Sequence, residues 1–537
     1  MSKRRVALLF LIVLVAASVS VRLLNGQPKR AATEKAKASP PPTKRSTPAP
    51  TVTKTAADAT LAAEIDRILN SSDTQQARFG IFVTSLNDGR AVYSHDSNKL
   101  FVPASNMKVY TTAVALDLLG ADYRWRTSIY ASKRPDANGV IDGDLVLYGR
   151  GAPDLISKPE GDAPSLAKFA DQLYQSGVRE IRGNVIGDES YFRGDLFGLG
   201  WQWNDLQWYF GAEPSALSVN ENAVEVTISP SNKKGTTASV VITPNENYVH
   251  LTNNATTADG DAPTTIGIIR DLSSNEVRVW GDFPVDGRAF SAFLSVHDPA
   301  LWSATLFKQA LVARGIKVNG DSRSRDFRVA QNERFDPQKS FELAYQDGEP
   351  LSEIIRKTNK ESNNLFAELI LRTIGKERGS LAPDPDPKKN AARGDDQAGT
   401  AVVTSWLKQK GIASEGIQIR DGSGLSRLDL ITPETTARLL ATMARSDGAA
   451  TFHDSLPVAG KDGTLGSRLK KYEGRIFAKT GTLTYVHSLS GYASTSSGEV
   501  FAFSILCNDA TADRKSLSAL DEIAGAIADF GRPPSQK

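Results

Sequence analysis

The alternation of hydrophobic and polar positions predicts matching elements near the two ends of the chain. Residues 60–69 carry apolar side chains at helical spacing, and residues 79–86 and 91–95 have the composition of strands. The intervening Asn87-Asp88-Gly89 is a strong hairpin turn. Three more strands and a closing helix are predicted around Lys479 and at 485–492, 500–506 and 516–530. We expect one sheet that both chain ends complete, flanked by helices.

Two mostly apolar runs of helical length each follow a serine. The runs cover residues 109–119 and 365–374, and they come after Ser105 and Ser362. The second run stops before Gly375, and a glycine at this point is a common helix-termination signal. The pattern therefore predicts two helices that begin close to these serines.

Three short strings, in chain order, carry candidate chemistry: Ser105-Asn106-Met107-Lys108, Ser362-Asn363-Asn364 and Lys479-Thr480-Gly481-Thr482. They match Ser-x-x-Lys, Ser-x-Asn and Lys-Thr-Gly, a set that builds an acyl-transfer site around a serine nucleophile. A serine hydroxyl is weak until a base takes its proton. Lys108 lies one helical turn from Ser105, and it can be that base where burial and a second cation disfavour its charge. Lys479 is such a cation.

The order and setting of the strings make the set informative, because two of the strings recur elsewhere. Ser-x-x-Lys also fits Ser165–Lys168, Ser231–Lys234, Ser405–Lys408 and Ser467–Lys470, which we interpret as solvated surface residues. Ser-x-Asn also fits Ser218–Asn220 and Ser273–Asn275, whereas Lys-Thr-Gly occurs once. Only the chosen serines stand directly ahead of the two apolar helical runs.

The motif order resembles the penicillin-recognising serine D,D-peptidases, and the long first gap resembles their low-molecular-mass class C branch, the D-alanyl-D-alanine carboxypeptidase/endopeptidases. Supporting strings are Gly143-Asp144-Leu145-Val146-Leu147, Ser215-Ala216-Leu217-Ser218 and Asp421-Gly422-Ser423-Gly424-Leu425-Ser426. The resemblance spans nearly the whole chain after residue 60. It departs at 149–154, where the family more often has a Gly-Gly-Gly-Asp-Pro-like string, and this departure concerns a loop rather than the three motifs.

The gap of 257 residues between Ser105 and Ser362 is much longer than the 117 residues from Ser362 to Lys479. The strand-rich segment at 128–345 therefore reads as one or two inserted β-rich domains. The resemblance implies the same topology: an α/β (α+β) fold with a β-lactamase/transpeptidase-like catalytic domain formed by 58–127 and 346–537. All three motifs lie outside the insert, so we expect it to position a polymer rather than supply chemistry. Its aromatic cluster is interpreted as packing rather than sugar binding, and consists of Trp201, Trp203, Trp208 and Tyr209.

The resemblance further implies two-step hydrolysis of the D-Ala-D-Ala end of muramyl peptides, with β-lactams as acylating inhibitors and with no cofactor or metal. In this mechanism Ser105 attacks, Lys108 takes its proton, and Ser362 and Lys479 relay a proton to the leaving amine. The backbone N–H groups of Ser105 and Thr482 would form the oxyanion hole. The remaining implied roles are orientation of Lys108 and of the peptide amide by Asn364, and carboxylate binding by Thr480, Gly481 and Thr482. The resemblance leaves open whether cross-links are cut as well.

The net charge of +3 is unevenly distributed along the chain. Residues 1–57 hold eleven Lys and Arg against one Glu, so the remainder is mildly acidic. A positive leader followed by an uncharged run at 6–21 predicts a signal peptide or a membrane anchor at 1–26. Residues 27–57 are predicted to be a disordered tether rich in Pro and Lys. We therefore expect an exported protein in the periplasm or cell envelope, membrane-attached if the leader is retained.

Other functions remain as alternatives at this stage. A β-lactamase or an esterase could use the same fold, although no Glu-bearing deacylation loop is evident before Lys479. A non-catalytic wall-binding scaffold is the alternative from another class, and the intact motifs argue against it. The five histidines are scattered and include no His-x-x-x-His pair, which gives no support to a metal site. No basic, aromatic-interleaved patch suggests nucleic acid.

Overall fold

The computed structural model describes residues 56–71, 74–161, 163–244, 247–329, 333–382 and 392–531. In these residues the helices are α1 (Ala56–Leu69), α2 (Met107–Leu119), α3 (Leu166–Gln175), α4 (Pro299–Arg314), α5 (Leu351–Lys360), α6 (Asn364–Arg378), α7 (Asp395–Gln409), α8 (Pro433–Met443), α9 (Ala449–Ser455) and α10 (Asp513–Ala528). The strands are β1 (Arg78–Ser85), β2 (Ala91–His95), β3 (Arg126–Ala131), β4 (Val140–Ile141), β5 (Leu145–Tyr148), β6 (Glu180–Ile181), β7 (Val185–Asp188), β8 (Ala223–Ser229), β9 (Ser239–Thr243), β10 (His250–Ala258), β11 (Gly267–Arg270), β12 (Glu276–Pro284), β13 (Phe290–Ser295), β14 (Lys317–Val318), β15 (Ser322–Arg325), β16 (Phe341–Asp347), β17 (Ile476–Leu483), β18 (Val486–Ser494) and β19 (Val500–Asn508).

The predicted leader at 1–26 and the predicted tether up to residue 55 lie outside the described residues. The described part of the chain contains no helix that is both long enough and apolar enough to cross a membrane.

One antiparallel sheet combines strands from both ends of the described chain, in the order β17-β18-β19-β1-β2. β1 pairs with β19 along its whole length, from Arg78 opposite Asn508 to Ser85 opposite Phe501. Alternate residues of β19 enter two hydrophobic clusters, one with α1 and α10 and the other with α2 and α8. Because helices cover both faces, the inner strands are apolar nearly throughout. The predicted sheet is confirmed.

α2 and α6 pack against each other and carry the two motif serines at their N-terminal ends. The prediction that the second helix stops before Gly375 is wrong, because α6 continues to Arg378. A Cβ on Gly375 would lie 1.8 Å from the Asp395 carbonyl oxygen. This glycine therefore serves the close packing of α7 on α6 rather than helix termination.

Strands β3 to β16 lie in the middle of the sequence. They form a mixed sheet in the order β15-β7-β5-β3-β16 and three smaller sheets, β10-β12-β11, β13-β8-β9 and β14-β6-β4. One hydrophobic cluster takes all of its buried members from residues 129–344, which shows that this segment has a core of its own. The predicted limits 128 and 345 fall inside β3 and β16, which pair with each other. The division into catalytic and inserted domains stays a prediction.

Candidate active site

Ser105 stands in a short 3-10 turn, Ala104–Asn106, that leads directly into α2. Ala104 has a φ of 49°, in the left-handed region, so the chain turns sharply just before the serine. The Asn106 side chain is buried, and its Nδ2 donates to the Lys479 carbonyl oxygen at 3.0 Å. Ser105 is thus held between α2 and β17, with its side chain half-buried.

Lys108 follows one helical turn later, and its side chain is 0% exposed. Its Nζ is 3.0 Å from Ser105 Oγ, 2.6 Å from Asn364 Oδ1 and 2.8 Å from the Ser423 carbonyl oxygen. Three oxygen atoms therefore surround the amine, and one of them belongs to the candidate nucleophile.

Burial lowers the pKa of Lys108 to about 7, because a desolvated ammonium is disfavoured relative to the neutral amine. The carboxyl groups of Asp421 and Glu368 act in the opposite direction and limit this shift. A pKa near neutrality gives Lys108 a substantial neutral fraction under physiological conditions, as a general base requires.

Residues 362–364 form the entry to α6. Ser362 has a φ of 59°, again in the left-handed region. Asn363 caps the helix, because its Oδ1 accepts a hydrogen bond from the Phe366 backbone N–H at 3.0 Å. The Asn363 Nδ2 donates to Glu221 Oε2 at 2.9 Å. The motif is therefore anchored both to its own helix and to the 220–222 turn.

Asn364 is the first residue of α6, and its two side-chain atoms have different partners. Oδ1 accepts from Lys108 Nζ at 2.6 Å, while Nδ2 donates to the Phe210 carbonyl oxygen at 2.8 Å. A backbone carbonyl can only accept, so this contact orients the amide. The oxygen of Asn364 is consequently the atom that faces Lys108.

Lys479 lies in β17 and is also 0% exposed. Its Nζ donates to Ser362 Oγ and to the Thr480 carbonyl oxygen, both at 2.9 Å. Burial, and to a smaller extent the nearby Lys108, hold the pKa of Lys479 well below its ordinary value. Two buried ammonium groups at one site are mutually unfavourable.

Gly481 lets β17 pass directly against the Ser105 turn. A Cβ at this position would lie 2.2 Å from Ser488 Oγ and 2.9 Å from both the Pro103 carbonyl oxygen and the Ser105 nitrogen. Ser488 Oγ itself donates to the Pro103 carbonyl at 2.7 Å. The absence of a side chain at residue 481 is thus a steric condition for this arrangement.

The two threonines of the same strand differ in exposure. Thr480 is buried, and its Oγ1 donates to Thr464 Oγ1 at 2.7 Å. Thr482 is exposed at the end of the strand. The five predicted catalytic residues thus form two hydrogen-bonded groups, Ser105–Lys108–Asn364 and Ser362–Lys479. The predicted substrate-binding residues follow Lys479 along β17, namely Thr480, Gly481 and Thr482.

Comparison with known proteins identifies the family. The model of the D-Ala-D-Ala carboxypeptidase 3 (S13) family matches residues 61–527. The chain belongs to this family. Membership confirms the resemblance to low-molecular-mass penicillin-binding D,D-peptidases, and it makes the protein a serine-type D-Ala-D-Ala carboxypeptidase.

Relatives of this S13 carboxypeptidase match over most of their length. The D-alanyl-D-alanine carboxypeptidase of Actinomadura sp. is 33% identical over 483 residues, which cover 88% of this chain and 85% of that protein. The D-alanyl-D-alanine carboxypeptidase DacB of Haemophilus influenzae is 26% identical, with coverages of 81% and 87%. The crystal structure of penicillin binding protein 4 (dacB) from Haemophilus influenzae has a TM-score of 0.72 at 24% identity and covers 86% of this chain and 98% of that chain. The superposition confirms the predicted fold class.

A loop at 421–424, which we name the anchor loop, also belongs to the site of this S13 carboxypeptidase. Asp421 is buried, and it accepts hydrogen bonds from the backbone N–H groups of Gly424 and Ser426, both at 2.7 Å, and from Trp201 Nε1 at 2.9 Å. In the sequence this string supports only the family resemblance. Residue type indicates no role for the loop, because the Ser423 group that contacts Lys108 is a backbone carbonyl.

A second buried carboxyl group, Asp429, lies against Asp421. Its Oδ1 accepts from the Arg420 backbone N–H at 2.6 Å, and the side chain forms a further hydrogen bond with the Asp421 carboxyl. Burial, followed by the Asp421 carboxylate, raises the pKa of Asp429 well above its ordinary value. Two carboxyl groups can share a hydrogen bond only if one keeps its proton, and the raised pKa assigns that proton to Asp429.

Proposed function

We propose that this protein removes the terminal D-alanine from peptidoglycan stem peptides through an acyl-enzyme on Ser105. The observation that carries the proposal is the buried Lys108 amine, 3.0 Å from Ser105 Oγ, with carbonyl oxygens on its other sides. The substrate class rests on the family, whose curated relatives are named D-alanyl-D-alanine carboxypeptidases.

The surroundings of Lys108 direct its lone pair. A neutral lysine amine has two N–H bonds and one lone pair. Asn364 Oδ1 and the Ser423 carbonyl oxygen can only accept, so the two N–H bonds point to them. The lone pair is left for the hydroxyl of Ser105. As Oγ bonds to the carbonyl carbon of the penultimate D-alanine, its proton passes to Lys108 Nζ.

Departure of D-alanine requires a proton on its nitrogen. Ser362 Oγ lies 2.9 Å from Lys479 Nζ, and we assign this pair to that step. The Ser362 hydroxyl gives its proton to the leaving nitrogen and takes one from Lys479. The bond between the acyl carbon and nitrogen breaks, and the acyl group stays on Ser105. Water then attacks the acyl carbon and passes its proton through Ser362 to the neutral Lys479, while Ser105 Oγ leaves with the proton returned by Lys108.

The substrate's terminal carboxylate would dock beside Lys479, along Thr480, Gly481 and Thr482. Burial and Lys108 lower the pKa of Lys479 in the free enzyme, and a carboxylate within ion-pairing distance raises it again. Carboxylate binding is therefore coupled to proton uptake at Lys479. The oxyanion would be held by the backbone N–H groups of Ser105 and Thr482, because β17 passes directly beside the Ser105 nitrogen.

Peptide cross-links also contain an amide bond at a D-alanine carbonyl, so the same residues would catalyse D,D-endopeptidase cleavage if the cleft admits two peptides. We propose carboxypeptidase activity as the primary reaction. The ratio of rates on a pentapeptide and on a dimeric muropeptide tests the endopeptidase activity. Peptidoglycan lies outside the cytoplasmic membrane. The leader predicted at 1–26 accordingly supports export to the cell envelope.

Intact-mass analysis with a labelled penicillin tests the proposal. A β-lactam presents an acyl-D-Ala-D-Ala-like amide, so we expect one stable adduct on a peptide containing Ser105. Ser105→Ala should abolish both the adduct and D-alanine release without altering the thermal melting temperature, because it removes only a half-buried hydroxyl. Rapid turnover of penicillin without an adduct would indicate a β-lactamase. Labelling of the Ser105→Ala variant would exclude Ser105 as the nucleophile.

A further inference from the structure

The third oxygen around Lys108 is a backbone carbonyl, and its position depends on whatever holds the anchor loop. The backbone N–H groups of Gly422 and Ser423 both donate to one atom, Glu368 Oε1, at 3.0 and 2.8 Å. Glu368 is therefore bonded to the same residue, Ser423, whose carbonyl oxygen accepts from Lys108 Nζ at 2.8 Å.

Glu368 lies four residues after Asn364 on α6, so the two side chains project from the same face of the helix. Asn364 contacts Lys108 directly, whereas Glu368 reaches it through the anchor loop. Side chains on one face of α6 thus provide or position both oxygen atoms that accept from Lys108, namely Asn364 Oδ1 and the Ser423 carbonyl oxygen.

The anchor loop has little freedom to find another position. A Cβ on Gly422 would lie 2.6 Å from the Ala367 carbonyl oxygen of α6, and a Cβ on Gly424 would lie 1.8 Å from the Ala104 carbonyl oxygen. The loop is therefore wedged between α6 and the turn that carries Ser105. A small shift of its amides would be transmitted to the Ser423 carbonyl.

Glu368 itself is 2% exposed, and Lys108, Arg372, Asp421 and Asp429 are buried as well. Asp421 and Arg372 interact electrostatically with Glu368, and Glu368 in turn interacts with Lys108 and Asp429. Burial, followed by Asp421, raises the pKa of Glu368 to about 8. Protonated or ionised, Oε1 keeps lone pairs for the two amides.

We propose that Glu368 is a positioning residue for acylation, which holds the Ser423 carbonyl on Lys108 and thereby directs the lone pair of Lys108 to Ser105. The inference rests on the proposed function, because it assigns Glu368 a part in the proton transfer from Ser105. Glu368 does not touch the substrate. Its effect is exerted through the backbone of residues 422 and 423.

Two substitutions separate this role from a purely structural one. Glu368→Gln keeps an acceptor oxygen for the two amides, whereas Glu368→Met keeps a similar volume and removes the acceptor. Asp188→Leu is the matched control, because Asp188 is likewise buried and accepts a backbone N–H, that of Ser190 at 3.0 Å, in the middle segment of the chain. The assay is acylation of the full-length chain by a labelled penicillin from pH 5 to 9, which separates the non-covalent dissociation constant from the acylation rate at saturation.

We expect the plateau acylation rate of Glu368→Gln to stay within about threefold of wild type, and that of Glu368→Met to fall at least about tenfold at an unchanged dissociation constant. The acid limb of Glu368→Gln should coincide with that of wild type, because a Glu368 carboxyl with a pKa of about 8 is already neutral over the pH range in which Lys108 titrates. Asp188→Leu should change the melting temperature but neither kinetic quantity. A structural role alone would make the Glu368 variants resemble this control.

A wild-type plateau rate in Glu368→Met would overturn the inference. If Glu368→Met does not fold, Glu368→Gln decides, and a plateau rate in that variant that falls about tenfold overturns the inference, because the acceptor oxygen is retained. Failure of the proposed function is distinguishable, because wild type itself would then carry no adduct on Ser105.

Discussion

The hydrogen bond between Asp429 and Asp421 makes a quantitative prediction about pH and stability. If Asp429 keeps its proton in the folded protein, Asp429→Asn should preserve the geometry. The amide oxygen can accept from the Arg420 N–H, and the amide nitrogen can donate to Asp421 in place of the carboxyl proton. The substitution removes only the titration.

The direction in which stability changes with pH follows from the direction of the Asp429 pKa shift. Burial and Asp421 raise the pKa of Asp429 in the folded state, so the folded protein binds this proton more tightly than the unfolded chain does. The stabilisation is fully present below the unfolded pKa of about 3.9 and is lost as pH rises towards the folded pKa. Between these two pKa values the free energy of unfolding of wild type falls by about 1.4 kcal/mol per pH unit through Asp429. That of Asp429→Asn has no such contribution.

Melting temperatures measured from pH 5 upwards test this difference. The unfolding entropy of a chain of this size is about 1 kcal/mol/K, so the gap between variant and wild type should change by about 1.4 °C per pH unit in favour of the variant. Other titrating groups are common to both proteins and cancel in the comparison. The exposed Asp142 provides a control, and Asp142→Asn should give a curve parallel to wild type. Parallel curves for Asp429→Asn would refute the assignment of the proton to Asp429.

Two further predictions concern β17. Lys479→Ala should weaken the binding of substrates with a free terminal carboxylate by about 2–5 kcal/mol and that of neutral esters by less. The control is Lys461→Ala, at an exposed lysine, which should change the binding of neither substrate. Steady-state kinetics on the two kinds of substrate would measure both effects. Equal losses on both kinds would assign Lys479 to proton transfer alone. Gly481→Ala should destabilise the fold by about 1–3 kcal/mol and slow acylation, because its Cβ would lie 2.2 Å from Ser488 Oγ. Gly466→Ala is the control, because its Cβ would lie 3.4 Å from the Gly463 carbonyl oxygen, an ordinary contact distance. Equal acylation rates in the two variants would contradict the steric argument.

The candidate reactive side chains could be selected from sequence because their chemistry restricts residue type and local spacing, and their roles stay a prediction. Ser105 and Lys108 are one helical turn apart, and this relation is set by the helix itself. The strand around Lys479 was predicted from its flanking apolar residues, whereas its place at the edge of the sheet is seen only in the structure. The misplaced end of α6 shows the limit of such local reasoning. Gly375 looks like a helix-termination signal along the chain, yet it is explained by the close approach of α7. That contact joins segments about twenty residues apart, so a local sequence pattern does not reveal it.

The supporting groups could not be predicted, since most of them act through the backbone. The Phe210 and Ser423 carbonyl oxygens contribute to the site regardless of their side chains, so residue type carries no signal for them. Glu368 lies within an apolar helical run, where a single acidic residue suggests an exposed position. Its burial follows from the packing of the anchor loop on α6, which depends on tertiary structure.

The contacts of the middle segment change how its contribution to catalysis is understood. From sequence we expected residues 128–345 to position a polymer, because all three motifs lie outside them. The structure adds a second connection, since the Phe210 carbonyl orients the Asn364 amide and Trp201 Nε1 donates to Asp421 at the anchor loop. Both acceptors of the Lys108 N–H bonds are thus linked to this segment. The packing of Trp201 and Phe210, rather than that of the whole segment, therefore bears on the direction of the Lys108 lone pair, and we expect it to affect acylation of small and large substrates alike.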